Sequence, residues 1–498
     1  MAGNVRFERA KNGMPLCSVG EIRLHSLYDP VREGERFVAA QNPSFMPAMV
    51  VVTEPALSYC APFFAARFPR ALTCAIRYSQ DFSVSNAHWD RILFAGGKGP
   101  EDIGEALFAA FGEEKLCAAL FVSWKPSERA FPETSAVVWR GIREAVSKAR
   151  DVLGTREYFA RRWINNAARF CVHLEHPARV LPGTMPVLIA ASGPSLEAVL
   201  PCLRRFRRNF FVIALSSALE ALLRWKIIPD LCFSADGGYW AKKHLAPLVR
   251  NPQIPLACPA ESAVPAAVLE RNPVVPLTYT LPGAKNSALE SLFLKECGIG
   301  AAYAPPNGTV SGTAAEFALR ITSGEVFFCG LDLCTGKGFP HGRPNALEHC
   351  GAAKDCRTAP GATRLTRGEF SSGALGVYRR WFAARDGDFV RRVARLSAAP
   401  YADSLGGIRD LRFDGGYASG TIKPRIVTGE GIPGSEIRAA RLRCLASQTL
   451  ADEETTRRWL KELFPAQYLT ASRHRDGQEL AGLMEKLAAF AAGLERSL

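Results

Sequence analysis

The stretch VLIAASGPSLEAVL, residues 187–200, decides how the chain is read. A continuous apolar run, Val187 to Ala191, gives way through Ser192-Gly-Pro-Ser195 to a segment with helical spacing, Leu196 to Phe206. A short apolar run closed by Gly and Pro predicts a buried strand turning sharply into a helix. Moving outward, the pattern repeats. A second strand is predicted at Phe210 to Leu215, a helix at Ser217 to Trp225, a break at Ile228-Pro229-Asp230, and a third strand at Leu231 to Ala235, ending at Asp236. This alternation is that of an α/β fold with a doubly wound, Rossmann-like parallel central sheet and right-handed crossovers. A later helix and strand, Ser311 to Thr322 and Val326 to Leu331, extend it and end at Asp332. Ligands of such sheets lie beyond the carboxyl ends of the strands, where Gly193, Ser216, Asp236 and Asp332 fall.

The flanks read differently. Upstream, strand-like runs at Ala48 to Val52, Leu72 to Arg77 and Leu116 to Ser123 alternate with helical stretches such as Glu101 to Phe111, which predicts a smaller N-terminal α/β domain over residues 1–155. A helical pattern from Val137 to Val172 links it to the central domain, residues 156–430. After about residue 340 the chain is rich in Gly, Pro and Arg, with one amphipathic stretch at Leu375 to Phe382. From Ser435 the period is helical, and Leu480, Leu483, Met484, Leu487, Phe490, Ala491 and Leu494 share one face, which predicts a separable C-terminal helical domain, residues 431–498.

Composition bounds the function. The 498 residues are 48% apolar and 22% charged, ordinary for globular proteins, and 62 Lys plus Arg against 48 Asp plus Glu give +14, which favours anionic partners. The N-terminus has no apolar stretch after its basic residues and no run approaches membrane-spanning length, so a cytoplasmic protein without a membrane partner is expected. Fourteen cysteines, mostly inside apolar segments, read as buried thiols of a reducing compartment. Arg204, Arg205, Arg207 and Arg208 lack the aromatic or helix-turn-helix company of a nucleic-acid surface and read as a solvated helix end.

Three elements carry chemistry. In Ser192-Gly193-Pro194-Ser195, glycine permits close backbone approach, proline pre-sets the turn, and Ser195 is placed to cap a helix whose free N–H groups attract a phosphate. The same residues could make a tight turn with no ligand. Asn307-Gly-Thr309-Val-Ser311-Gly312 precedes an apolar helix and offers hydroxyl and backbone donors to a phosphate or ribose. Asp332 ends a buried strand, and His341 follows on a glycine-flanked loop, where an imidazole can act as general base or simply shape the loop. Cys334, His341, His349, Cys350 and Cys356 carry zinc's preferred ligand atoms, but their irregular spacing lacks a paired CxxC, and no metal is assigned.

Taken in order, VLIAASGPSLEAVLPCL, FFVIALSSALEALLRWKIIPDLCFSAD, GTVSGTAAEFAL and VFFCGLDL resemble the central domain of the bacterial motility-associated factor family, glycosyltransferases that modify flagellin. Leu24-His-Ser-Leu-Tyr-Asp-Pro30 with Arg32, Glu33 and Glu35 resembles the family's opening segment, and Ser404-Leu-Gly-Gly-Ile408 a later Gly-Gly turn. The chain departs from the pattern at Ala190 and Ala191, where a glycine is usual, and at Gly34, where alanine is. The resemblance implies transfer of a nonulosonic acid, of the pseudaminic or legionaminic type, from a CMP-activated donor to Ser or Thr hydroxyls of flagellin, with no cofactor required. By similarity to bacterial sialyltransferases it implies that Gly193, Pro194, Ser195, Ser311 and Gly312 hold the nucleotide and that Asp332 and His341 lie near the reacting carbon. Ser192, Ser216, Asp236 and Thr309 complete the expected donor site.

Two rival functions fit the same central domain. It also resembles an archaeal-type pterin pyrophosphokinase, which would use ATP with Mg²⁺ on carboxylates such as Asp236 and Asp332. A non-catalytic flagellin-binding protein or chaperone on a transferase scaffold is the third reading.

Overall fold

Val187–Ala190 (VLIA) is fully buried and sits at the branch point of a nine-stranded, all-parallel sheet. The structure, a computed structural model, describes residues 5–95, 100–281, 288–334, 336–337, 339–363, 369–370, 373–415, 417, 420–474 and 477–498. Contacts group the chain into two units, Met1–Ala160 with Asp452–Ala489, and Arg161–Ala451 with Phe490–Leu498.

The smaller unit carries a four-stranded parallel sheet, β1 (Met49–Thr53), β2 (Leu72–Arg77), β3 (Arg91–Phe94) and β4 (Ala119–Ser123), in the order β3-β2-β1-β4. The chain leaves β1 toward β2 and returns to its other side as β4, so the switch point lies between β1 and β4. That position is filled by the protein itself. Glu54, fully buried, accepts from the N–H groups of Ala56, Tyr78 and Ser79 and from Arg77 Nη1 at 3.0 Å. Arg77, equally buried, also donates to Ala56 O, Ser58 Oγ, Ser85 Oγ and Asn86 Oδ1. The turn adopts positive φ at Glu54, Ala56 and Ser58, strain maintained by this network.

The family-like opening segment does structural work in the same unit. Asp29 caps the helix Pro30–Ala39 through the N–H of Arg32, Glu33 Oε2 accepts from Ser26 N–H at 2.7 Å, and buried His25 accepts from Leu57 N–H at 3.0 Å. A Cβ on Gly34 would lie 2.7 Å from Tyr59 O, so the close helix approach explains the glycine.

The expected separable C-terminal domain, residues 431–498, is divided differently, because its apolar faces belong to both units. Helix Ser435–Ser447 and Phe490–Leu498 group with the larger unit, whereas Asp452–Ala489 groups with the smaller one. There Glu157 accepts from the N–H groups of Ala466 and Gln467 at 2.9 and 3.1 Å, and Trp459, Leu460, Leu463, Leu483 and Leu487 are buried. Each buried leucine is worth roughly 1.5–3 kcal/mol. A chain ended at Gly434 is therefore expected to aggregate or to lose cooperative unfolding. A soluble product with a single sharp melting transition would contradict this.

In the larger unit β5 (Val187–Ala190), β6 (Phe211–Leu215), β7 (Leu231–Phe233), β8 (Leu256–Pro259), β9 (Val274–Thr278), β10 (Ala302–Tyr303), β11 (Val326–Cys329), β12 (Val393–Ser397) and β13 (Arg409–Arg412) lie in the order β10-β9-β8-β7-β6-β5-β11-β12-β13. Ile189 is level with Ile213 of β6 and with Phe328 of β11. The α/β, Rossmann-like parallel architecture is thus present, with more strands than the sequence made visible. Helix Val310–Ile321 packs on β5, β6 and β11 through Ala314, Ala315, Phe317, Ala318 and Ile321. Since it runs into β11 from the opposite edge, its N-terminus stands at the carboxyl edge of the sheet. Beyond β11, the guanidinium of fully buried Arg395 spans β12 and β13. It pairs with both Asp410 carboxylate oxygens at 2.7 and 2.8 Å, donates to Leu331 O and Asp403 O, and stacks on Tyr401 at 3.9 Å.

Candidate functional site

The strand order of the larger unit's sheet reverses between β5 and β11, and two loops meet at their carboxyl ends. Ala191 N–H donates to Cys329 O, and Gly193 N–H to Gly330 O at 2.7 Å. Ser195 N–H donates to Asp332 Oδ2 at 3.0 Å. A Cβ built on Gly193 would fall 2.0 Å from that carboxylate oxygen and 2.5 Å from Gly330 O. The glycine is needed for contact between the two strand ends, a role that leaves its N–H unavailable to a ligand.

This corrects the expected part of Ser195. Its side chain makes no capping bond to helix Leu196–Arg205, and its backbone is helical at φ −62°. The carboxylate of Asp332 takes that place, putting a negative charge at the positive end of the helix. Pro194 is exposed beside it.

Facing the turn is His341. Its Nδ1 lies 3.2 Å from Ser192 Oγ, which in turn accepts from Ser217 Oγ at 2.8 Å, and Gly342 N–H donates to Ser192 O. Burial pushes the imidazole below its ordinary pKa, outweighing its hydrogen bond to the Ser192 backbone and the charge of Glu348. The ring is therefore neutral at pH 7 and can accept a proton. Behind it His244, buried at the end of helix Tyr239–His244, is held down to about 4 by burial, then by repulsion from His341, against the attraction of Asp236 and Glu220. Asp236 itself is exposed and its Oδ1 accepts from Gly238 N–H.

Helix Val310–Ile321 begins at Thr309, whose side chain does not cap it; Thr309 Oγ1 lies 2.9 Å from Ser311 Oγ instead. The first backbone bond into the helix runs from Thr313 N–H to Thr309 O, so among the described residues the N–H groups of Val310, Ser311 and Gly312 are the free donors of this terminus. Twelve residues of aligned peptide dipoles stand behind them. Of the two helix ends foreseen as anion seats, this one keeps its donors, and the one at Ser195 has its own carboxylate.

Ser192, Gly193, Ser195, Asp332 and His341 are thus joined by hydrogen bonds or direct approach. Thr309, Ser311 and Gly312 share the same sheet edge, and Asp236 reaches the group only electrostatically, through His244. Ser216 is buried after β6, but the hydroxyl that bonds Ser192 is that of Ser217. Ser217 and His244 were not singled out in the sequence. The adjacent pair Ser216-Ser217 at a strand end, and a histidine one helix after Asp236, were the available signals. His349 pairs with Glu220 at 2.6 Å, and among the described residues no three His, Cys, Asp or Glu side chains are grouped as metal ligands would be. Arg207, foreseen as part of a solvated helix end, pairs with Asp230 at 2.8 Å and with Ile228 O.

Residues 161–338 match the family described as 6-hydroxymethylpterin diphosphokinase MptE-like. An uncharacterized protein of Treponema pallidum (strain Nichols) is 34% identical over 285 residues, 57% of this chain and 61% of the relative. A second uncharacterized protein of that organism is 28% identical over 192 residues, 36% of this chain and 32% of the relative. The chain therefore spans less than two thirds of the length of either. Among the described residues no helix is long and apolar enough to cross a membrane. Among solved structures, that of a MAf glycosyltransferase from Magnetospirillum magneticum AMB-1 aligns with 99% of this chain and 90% of its own, with TM-score 0.51 and 14% identity. The chain has the fold of that glycosyltransferase, and its central sheet carries the MptE-like match.

Proposed function

We propose that the chain is a cytoplasmic glycosyltransferase that moves a nonulosonic acid from a CMP-activated donor to Ser or Thr hydroxyls of flagellin. The observation that carries the reading is the pairing, at one sheet edge, of a neutral, half-buried imidazole, His341, with the uncapped N-terminus at Thr309–Gly312. Likeness of fold to a glycosyltransferase over nearly the whole chain supports it.

In this scheme the donor phosphate lies on the free N–H groups of Val310, Ser311 and Gly312, with the hydroxyls of Thr309 and Ser311 as further donors. The acceptor hydroxyl approaches His341, which takes its proton as the new glycosidic bond forms and the bond from the anomeric carbon to the CMP phosphate breaks. Ser192, held by Ser217, fixes the imidazole, and Asp332 holds the Gly193 turn and favours positive charge developing on the sugar. A net charge of +14 helps gather a donor bearing both phosphate and carboxylate.

The MptE-like match favours a second reading, diphosphate transfer from ATP with Mg²⁺. The carboxylates fit that ion poorly. Asp236 and Asp332 follow β7 and β11, three strand spacings or about 14 Å apart, and the oxygen Asp332 Oδ2 already accepts from Ser195 N–H. Thermal unfolding with CMP, CTP and Mg-ATP separates the readings. At CMP about 100-fold above Kd the stabilisation is about 2.7 kcal/mol, a rise of several degrees. Preference for ATP would favour the kinase, and no shift a non-catalytic flagellin binder. Unchanged intact mass of flagellin in a strain lacking the protein would end the transferase reading.

A further inference from the structure

We propose that the smaller unit binds an extended acidic peptide segment of a partner protein, which adds as a fifth strand to the free edge of β4. The proposal does not depend on the donor or the transfer chemistry above. Among the described residues, β4 pairs only with β1 and its outer edge carries no strand. A groove of about 1210 Å³ runs there. It is lined by consecutive residues of β4, Phe121, Val122 and Ser123. Phe121 packs on one face of the sheet, with Trp139 and Ile142, and Val122 on the other, with Phe64 and Phe37. A cavity touching both sets, and both Phe37 and Trp139, therefore follows the edge of the strand between the helices that cover the two faces. This is the geometry in which a bound peptide gains main-chain hydrogen bonds and seats alternate side chains in apolar recesses.

The edge itself is unprotected. Proteins commonly blunt such an edge with Lys, Pro, a bulge or a covering segment, yet Ala119–Ser123 reads ALFVS. The groove's volume also exceeds the roughly 300–1,000 Å³ of small-molecule pockets, which favours a chain segment over a nucleotide.

Charge selects the occupant. Glu128, the groove's one carboxylate, is occupied by Lys125 at 2.7 Å and Ser123 Oγ at 2.6 Å. Arg129, Arg140 and Arg143 line the groove, are exposed, and form no ion pair among the described residues. Three unneutralised guanidiniums above a floor of Phe37, Phe121 and Trp139 suit a strand that alternates carboxylates with apolar side chains.

The test uses the full chain and a fluorescein-labelled heptapeptide alternating Glu with Val and Phe, followed by anisotropy. Five comparisons are made: the same peptide with Lys for Glu, two versions N-methylated at alternate residues, the double variant R140E/R143E, and the single variant R129E. The parent peptide is expected to bind at tens of micromolar, and the Lys peptide at least about 10-fold more weakly. One N-methylated version, the one blocking the bonded edge, should lose about 10-fold while the other does not. The double variant should lose at least about 10-fold and R129E several-fold, with melting temperatures unchanged because all three side chains are exposed. No binding up to about 1 mM, equal binding of the Lys peptide, parity of both N-methylated versions with the parent, or indifference to the charge reversals would each overturn the proposal. Competition by CMP or inorganic phosphate as strong as that by unlabelled peptide would overturn it too, in favour of a small anion.

Discussion

Gly193→Ala is expected to lower the melting temperature and, by opening the sheet edge shared with Thr309–Gly312, to weaken CMP binding markedly. The added carbon would stand 2.0 Å from Asp332 Oδ2 and 2.5 Å from Gly330 O. The carboxylate can rotate away, but doing so strips Ser195 N–H of its acceptor and leaves the start of helix Leu196–Arg205 without its negative charge. The Gly330 carbonyl cannot rotate, because it belongs to the strand end that also receives Gly193 N–H. The ends of β5 and β11 must therefore separate, at a cost of about 1–3 kcal/mol typical of overpacking. Gly193→Val should be worse in both respects. The distinguishing measurement is calorimetric titration with CMP alongside thermal unfolding. Wild-type affinity in a destabilised Gly193→Ala protein would separate the turn from the nucleotide site, and wild-type stability would contradict the geometry itself.

The second large effect concerns His341. If its imidazole takes the acceptor's proton, His341→Ala should slow transfer by roughly 10²- to 10⁴-fold with CMP affinity little changed, since proton removal belongs to the transition state. The pH dependence follows from burial. A base works when deprotonated, and burial lowers the pKa of His341, so the rate should hold through neutrality and fall only on an acid limb below the ordinary imidazole value of about 6.5. Stability moves the same way. His341 and His244 bind protons more weakly folded than unfolded, so their contribution is complete above about 6.5 and declines as pH falls toward about 4 for His244. Unfolding must therefore be followed at each pH at which rates are measured. Near-normal turnover by His341→Ala would remove the base assignment. A modest loss with an unchanged acid limb would assign His341 to loop shaping alone.

The parts of the fold legible in the sequence are those whose burial is written in one residue type. Val187–Ala190, Phe211–Leu215 and Val326–Cys329 are buried on both faces and read as unbroken apolar runs. Val393–Ser397 and Arg409–Arg412 escaped because their sequences, VARLS and RDLR, look exposed; Arg395 is buried only because Asp410, two carbonyls and Tyr401 surround it in three dimensions. The same distinction runs through the site. Gly193, Asp332 and His341 stood out by position at strand ends and on a glycine-flanked loop. The exchange of capping duty from Ser195 to a carboxylate 137 residues away could not be read locally. Nor could the link from Ser217 through Ser192 to His341, which joins three separate loops.

The division of the chain between its two units has a consequence for synthesis. Residues 1–160 leave the ribosome before the larger unit, but the helices that complete their own unit, 452–489, follow only after about 290 further residues. At roughly 5–20 residues per second this delay is about 15–60 s. Throughout that interval the apolar surface destined to meet Trp459, Leu460, Leu463, Leu483 and Leu487 is open to water and to other nascent chains, while the sheet containing β5 is emerging behind it. The smaller unit thus stands open while most of the larger one is being made, and its yield in a cell should depend on holdase chaperones and on elongation speed far more than its final stability would suggest.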